Sequence, residues 1–433
     1  MGHGGGIRAS MYGMDFDGMP TRRGFFGRLM GPAWAGYAVL DQALFRAARA
    51  RAQSKAAVAL PKLFDLHKAA EGVYLAQARP QTMVNCNAVI IENAADLMIV
   101  DAHSKPSAAA SLVRQIRAEL TPKPVRYIVA SHFHWDHSQG LPAYRKLAPK
   151  ADILSSEVTR RMMDSETVPR IKQQLELAAR QADEYRRRAA SAVGGAAVGG
   201  APGGAGVAGA GASAGAASSG GASSEVVGAK AAWARMARET EAYIAEMKGF
   251  TPELPNVTLD RDLILHDRAH DLHLAFRGRA HTPGDIVVYC PQKKVIASGD
   301  VLHASAPFIG DGYPRDWPRT LLELAGFEFD AIAPGHGSIQ QGKTIVYQMA
   351  RYIEELAIGV ERARAAGKSV EQTKAEVTVA SLKSLSDGGY GEKVARTILG
   401  YRMIPPPRPT MEQVLADAVR TNVEQVYQRL GAA

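Results

Sequence analysis

Cysteine is nearly absent from this chain, with only Cys86 and Cys290 in 433 residues. Two cysteines cannot make a disulfide framework. Their surroundings, NCNAVIIE and VVYCPQKKV, read as apolar strands, so both are expected as buried small hydrophobes. Long apolar runs are scarce too: beyond the N-terminal fifty residues none approaches 18, which leaves nothing to span a membrane stably. Most of the chain also lacks a charge excess of one sign. The net charge is +9, but residues 1–60 hold +5 of it, from Arg8, Arg22, Arg23, Arg28, Arg46, Arg49, Arg51 and Lys55 against Asp15, Asp17 and Asp41. The rest, about +4, is too little to line a basic groove, so no nucleic-acid partner is expected. With 46% hydrophobic and 22% charged residues, the chain can bury one large core plus appendages, and disorder throughout is excluded.

The basic N-terminus has its own pattern. TRRGFFGR at 21–28 precedes a mainly apolar stretch from Leu29 to Leu44, and Ala50-Arg51-Ala52 offers small residues for cleavage before Gln53. Residues 1–52 resemble a twin-arginine export leader, which implies a periplasmic protein exported already folded. Arg28 and Asp41 interrupt the apolar run, and the other reading is a basic amphipathic helix on a cytoplasmic protein.

Past the leader, 72–78, 87–92 and 96–101 are short apolar runs between turn residues and read as strands. Pro106 opens a helical pattern through Leu120, carried by Leu112, Ile116 and Leu120, and Val125–Ala130 returns to strand. Strand, helix, strand predicts an α/β fold. Its first half is placed at 61–154 and its second at 251–340, with a C-terminal helical region at 341–433. Strand patterns resume at 262–267, 271–278, 285–290 and 294–300, and helices are expected over 344–366 and 411–430. Between the halves, 155–250 reads as a helical insertion. Its segments 155–188 and 229–248 are alanine-rich and charged, and about 190–224 is almost wholly Gly, Ala and Ser, a flexible tether with nothing to bury. The insertion is either a pair of surface helices or a cap over the active site.

The chemistry concentrates in IVASHFHWDHSQG. His132 and His134, two apart on an extended segment, face one side and can share an ion, while Asp136 and His137 further round the turn can serve another. Imidazole and carboxylate at this density suit zinc. Three later segments add donors where strand patterns meet turns: His281 in GRAHTPGD, Asp300 in KVIASGD and His336 in IAPGHG.

H-x-H-x-D-H followed by HTPGD, SGD and PGHG resembles the successive metal motifs of the metallo-β-lactamase superfamily. The resemblance covers roughly 72–154 and 255–340. It implies a four-layered αβ/βα sandwich with two zinc ions per chain, the first held by His132, His134 and His281, the second by Asp136, His137 and His336, with Asp300 bridging. Asp101, at the end of IVD, matches an aspartate that orients the metal loop. The implied activity is attack by a metal-bridging hydroxide on a carbonyl of a small molecule, with Asp136 also steering the proton. An ester, thioester, amide or lactam would fit. The resemblance extends to β-lactamases proper, to glyoxalase II-like thioesterases and to persulfide dioxygenases, which use a similar ligand set with one iron. Near the same cleft, His103 and His303 are candidates to line the substrate site. Phe133 and Trp135 are expected to pack, and His266, His270 and His273 to lie on a solvent face. The segment 306–318, APFIGDGYPRDWP, reads equally as a substrate-facing loop or as a packed surface loop.

Overall fold

The computed structural model describes residues 62–80, 86–191 and 219–431. The leader read over 1–52 and the central part of the Gly/Ala/Ser tether lie outside the described residues. Two sheets form the frame. The first runs in chain order through β1 (Phe64–Ala70), β2 (Val73–Ala78), β3 (Ala88–Glu92), β4 (Leu97–Val100), β5 (Val125–Val129), β6 (Asp152–Ser156) and β7 (Val257–Leu259). It is antiparallel as far as β4 and parallel from β4 to β7. The second contains β8 (Asp262–His266), β9 (Asp271–Phe276), β10 (Ile286–Cys290), β11 (Val295–Gly299), β12 (Ala331–Pro334) and β13 (Gln340–Gln341), with β11 and β12 as its parallel pair.

Alternation along the strands builds the layers. Val73, Leu75, Val89, Ile91, Met98 and Val100 turn toward Leu272, Leu274, Ile286 and Val288, closing one sheet on the other. Their neighbours Ile90, Leu97 and Ile99 turn outward to Leu112 and Ile116 of α1 (Pro106–Glu119), with α2 (Trp135–Ser138) and α3 (Leu141–Leu147) on the same side. On the far face Val287, Ile296 and Ile332 pack against α6 (Trp317–Ala325), α7 (Thr344–Ala365), α10 (Tyr390–Tyr401) and α11 (Met411–Gly431), through Leu321, Ile353, Ile398 and Val423. The short helices α8 (Val370–Glu376) and α9 (Lys383–Ser386) join these. The result is the four-layered αβ/βα sandwich of an α/β protein. Covering both faces of the sheets at β3, β4 and β10 explains why these strands read as unbroken apolar runs.

The insertion is a hairpin of two long helices, α4 (Glu157–Ser191) and α5 (Ser219–Met247). Both ends of the stretch read as tether, 190–191 and 219–224, are helical instead, as continuations of the two long helices. Ile171, Tyr243 and Met247 form a small cluster against which Trp135 packs, so the hairpin sits on the segment that bears the histidines. Glu246 of α5 accepts from Ser107 N and Ser107 Oγ, each at 2.6 Å, capping α1, whose own N-cap Lys105 supplies no side chain.

Two other expectations are corrected. His270 is 3% exposed, not on a solvent face, since its Nε2 finds Asn93 Oδ1 at 3.1 Å in a turn where a polar ring can be buried. Cys86 is buried but precedes β3, and its thiol faces polar groups, the Asp136 carbonyl and His103 Nδ1. No helix among the described residues is long and apolar enough to cross a membrane.

Candidate metal centre

Parallel pairing places the donors. β4 and β5 lie side by side and end together, so Asp101, just past β4, meets Ser131, just past β5: Asp101 N donates to Val129 O and Ser131 N to Asp101 Oδ1, at 2.8 and 3.0 Å. In the second sheet β11 and β12 end at Gly299 and Pro334, delivering Asp300 and His336 to the same edge. His281 lies on the connection from β9 to β10.

These segments bring together every side chain singled out as a ligand. Donor atoms of His132, His134 and His281 lie within 4.8 Å of one another, as do those of His132, His137 and Asp300, and those of Asp136, His137 and His336. Asp300 stands between the groups, its Oδ2 3.3 to 3.4 Å from Nε2 of His137, His281 and His336. His303 joins the cluster, its Nε2 also 3.4 Å from Asp300 Oδ2. His134, Asp136 and His336 are 9, 7 and 8% exposed, against 3% or less for His132, His137, His281, Asp300 and His303, so the first three mark the mouth. His103 does not line it. It is fully buried with its ring stacked on Phe64, 4.3 Å between centroids, and its Nδ1 toward Cys86, which makes it packing behind the loop.

The outer nitrogens of three histidines are committed to groups that can only accept. Asp101 Oδ2 takes the Nδ1 proton of His137 at 2.8 Å, the Phe308 carbonyl that of His281 Nδ1 at 2.9 Å, and Asp311 Oδ2 that of His134 Nε2 at 2.8 Å. In a neutral imidazole the other nitrogen is then a lone pair, and in each case it points inward. His134 Nδ1 and His281 Nε2 consequently face each other at 2.7 Å, two lone pairs at one point. His132 Nε2, His137 Nε2 and Asp300 Oδ1 are buried without any hydrogen bond. Such atoms are costly to bury unless a cation completes them.

Electrostatics agree. Burial works against charge on His137 and His336, yet Asp300 and Asp136, joined at His137 by Asp101, pull both well above the usual histidine range. Burial likewise works against the Asp136 carboxylate, but His137 and His336 hold it down at about 2. His132 and His281, dominated by burial and by neighbouring rings, fall well below the usual range and stay neutral. Neutral rings at His132 and His281 thus stand beside the Asp136 and Asp300 carboxylates, which draw positive charge onto this edge, a combination that suits metal cations.

Space is reserved as well. A Cβ at Gly335 would fall 2.1 Å from Asp300 Oδ1 and 2.9 Å from His137 Cε1, so only glycine lets the chain pass behind the ligands. Several supporting groups carry no ligand-like signal in the sequence: Asp311, the Phe308 carbonyl, Ser131 Oγ at 3.0 Å from His132 Nδ1, Arg170 on the inserted helix and Tyr401, whose ring lies 6.1 Å from that of His336. The segment 306–318 supplies the first two, so it braces the histidines. Phe133 is buried and Trp135 packs under the hairpin.

Among solved structures, the chain is similar to a metallo-beta-lactamase from Pontibacter korlensis at 14% identity, with 66% of this chain and 99% of that one covered and a TM-score of 0.43. It is similar to the DIM-1 metallo-beta-lactamase at 15% identity, with 67 and 97% covered and a TM-score of 0.41. A metallo-beta-lactamase from Hirschia baltica gives 16% identity, 68 and 98% covered, and 0.43. The sequence pattern of the metallo-beta-lactamase superfamily matches residues 82–336, more than half of the chain, and the chain belongs to that superfamily.

Proposed function

We propose that this hydrolase holds two zinc ions and opens a carboxyl-derived bond, an ester, thioester, amide or lactam, in a small molecule. One observation carries the reading: His134 Nδ1 and His281 Nε2 meet at 2.7 Å while their other nitrogens are bound to acceptors, so a cation belongs between them. His132, His134 and His281 would hold the first ion, Asp136, His137 and His336 the second, with Asp300 shared. Zinc bound there supplies Lewis acidity toward a substrate oxygen and a water acidified to a pKa of about 7.

The chain's own groups do the rest. Asp101, Asp311 and the Phe308 carbonyl set ring tautomers so that lone pairs point inward. Asp136, at the mouth and ionised at neutral pH, accepts a hydrogen bond from an incoming water and aligns it. The near-complete burial of His132, His137 and Asp300 keeps bulk water from the inner donors. TRRGFFGR supports a further proposal, that the protein works in the periplasm.

The test is metal analysis of the full chain together with a panel of chromogenic lactams, thioesters and esters. Near two zinc per chain, and turnover reduced at least about 100-fold in Asp136→Ala and His134→Ala, is the expected result. A single iron with oxygen uptake would overturn it in favour of a dioxygenase. Fractionation of cells expressing the full chain addresses export, which fails if the protein stays in the cytoplasm.

A further inference from the structure

The inserted hairpin touches the metal centre through one charged relay. Arg170 of α4 grips Asp311 with both arms of its guanidinium, Nη1 to Oδ2 at 2.8 Å and Nη2 to Oδ1 at 3.0 Å. The same Oδ2 takes the His134 Nε2 proton at 2.8 Å. Arg170 also lies over the Phe133 ring, 4.9 Å from its centroid, and Phe133 is the spacer between His132 and His134. The relay does not stand alone. Gln139, at the end of α2, donates to Gln174 Oε1 of α4 at 3.2 Å and accepts from Tyr243 Oη of α5 at 2.8 Å, so both inserted helices hold the segment bearing the histidines.

Three physical facts give this arrangement a consequence. Asp311 sits on an irregular loop between β11 and α6, and only its partners fix its side chain. A forked guanidinium fixes both oxygens of a carboxylate in one plane, which an ammonium cannot do. And a carboxylate behind a metal-binding imidazole sets the ring's orientation and basicity, its loss commonly weakening metal binding 10- to 100-fold.

Resting on the metal-centre reading above, we propose that Arg170 is a positioning residue for the metal centre: by clamping Asp311 against His134, the inserted hairpin sets how tightly the first metal is retained. The hairpin is thus a working part of the centre, and movement of α4 would reach His134 through the Arg170–Asp311 ion pair.

The experiment uses the full chain, stripped of metal by chelator and titrated with Co(II), the ligand-field absorption reporting geometry and a competing chelator reporting affinity for Zn(II). The variants are Arg170→Met, Arg170→Lys, Asp311→Asn and the double variant, with Lys172→Met, exposed on the same helix, as control. Arg170→Met is expected to weaken one of the two sites about 10-fold and to alter the Co(II) spectrum, Arg170→Lys to recover part of the loss, and Lys172→Met to match wild type. Adding Arg170→Met to Asp311→Asn should weaken binding no further, because the arginine acts through the aspartate. Melting of the metal-free variants separates this from general loosening, since it should be unchanged within a few degrees. Wild-type affinity and spectrum in Arg170→Met, or additive losses in the double variant, would overturn the inference while leaving the metal-centre reading intact. Failure of the wild-type chain to bind either ion would remove that reading and this one with it.

Discussion

Gly335→Ala is the most informative single change, because it adds one methyl group and no chemistry. Gly335 N donates to Gly299 O and its carbonyl accepts from Asn87 N, each at 2.8 Å, while Asn87 Nδ2 donates to Pro334 O and Gly337 O at 2.9 and 2.7 Å. The backbone is held from both sides and cannot retreat. The new Cβ would lie 2.1 Å from Asp300 Oδ1, where ordinary contact begins near 3.4 Å, so Asp300 must move by about 1.3 Å. Metal sites tolerate shifts of only about 0.2 Å. Since Asp300 Oδ2 is within 3.4 Å of rings from both halves of the centre, both ions should be affected, and we expect affinity to fall at least about 100-fold. Overpacking of this kind destabilises by about 1–3 kcal/mol, so the metal-free variant should melt only roughly 2–6 °C lower. Gly342→Ala is the matched control. Gly342 has φ +64° but nothing within 4 Å, so alanine there meets backbone strain of about 1–2 kcal/mol and no ligand. Chelator competition on both variants decides the matter: wild-type affinity in Gly335→Ala would refute the argument that this glycine makes room for the ligands.

Asp101→Asn keeps a residue that tolerates the φ of +72° at this position but removes the charge behind His137, and metal binding measured by competition should weaken about 10- to 100-fold. Asp285 is 2% exposed, and burial lifts its carboxyl to about 7 despite two hydrogen bonds from Thr282. The folded chain then binds more protons than the unfolded one between about pH 4 and 7. Its contribution is present below pH 4 and lost as pH rises through 7, an effect of up to about 4 kcal/mol. Denaturant unfolding of the metal-free protein across that range should show a shallower pH slope in Asp285→Asn than in wild type; equal slopes would contradict the assignment. Glu246→Ala uncaps α1 and should lower stability by about 1 kcal/mol in the same assay, with Glu246→Gln intermediate.

The side chains that converge here could be singled out in the sequence because metal chemistry restricts candidate donors to a few residue types, and because strand ends collect them on one edge: His132, Asp300 and His336 each follow a strand directly or within a few residues. The long buried strands were legible for a related reason, since apolar runs such as AVIIE and IVVYC have nowhere to go but the interior. DILSS and VTL, which become β6 and β7, are too polar or too short to carry that signal alone and are strands only because each is offered a parallel edge, DILSS by β5 and VTL by β6. His270 and His103 were misplaced because burial of a histidine depends on partners, Asn93 and Cys86, that no local pattern reveals.

The groups that orient the ligands are less legible still, and the reason is physical. An imidazole proton needs only an acceptor, and any acceptor serves. For His281 it is the carbonyl of Phe308, which any residue at that position would supply, so no side-chain identity records the role. For His134 it is Asp311, 177 positions away, itself gripped by Arg170 from 141 positions away, and each reads locally as a loop acid or a helix-surface base. A folded chain can therefore restrict its metal ligands tightly by type while leaving their supports free to come from any segment that packs nearby. That freedom is what lets an inserted hairpin take hold of a metal centre without altering one of its ligands.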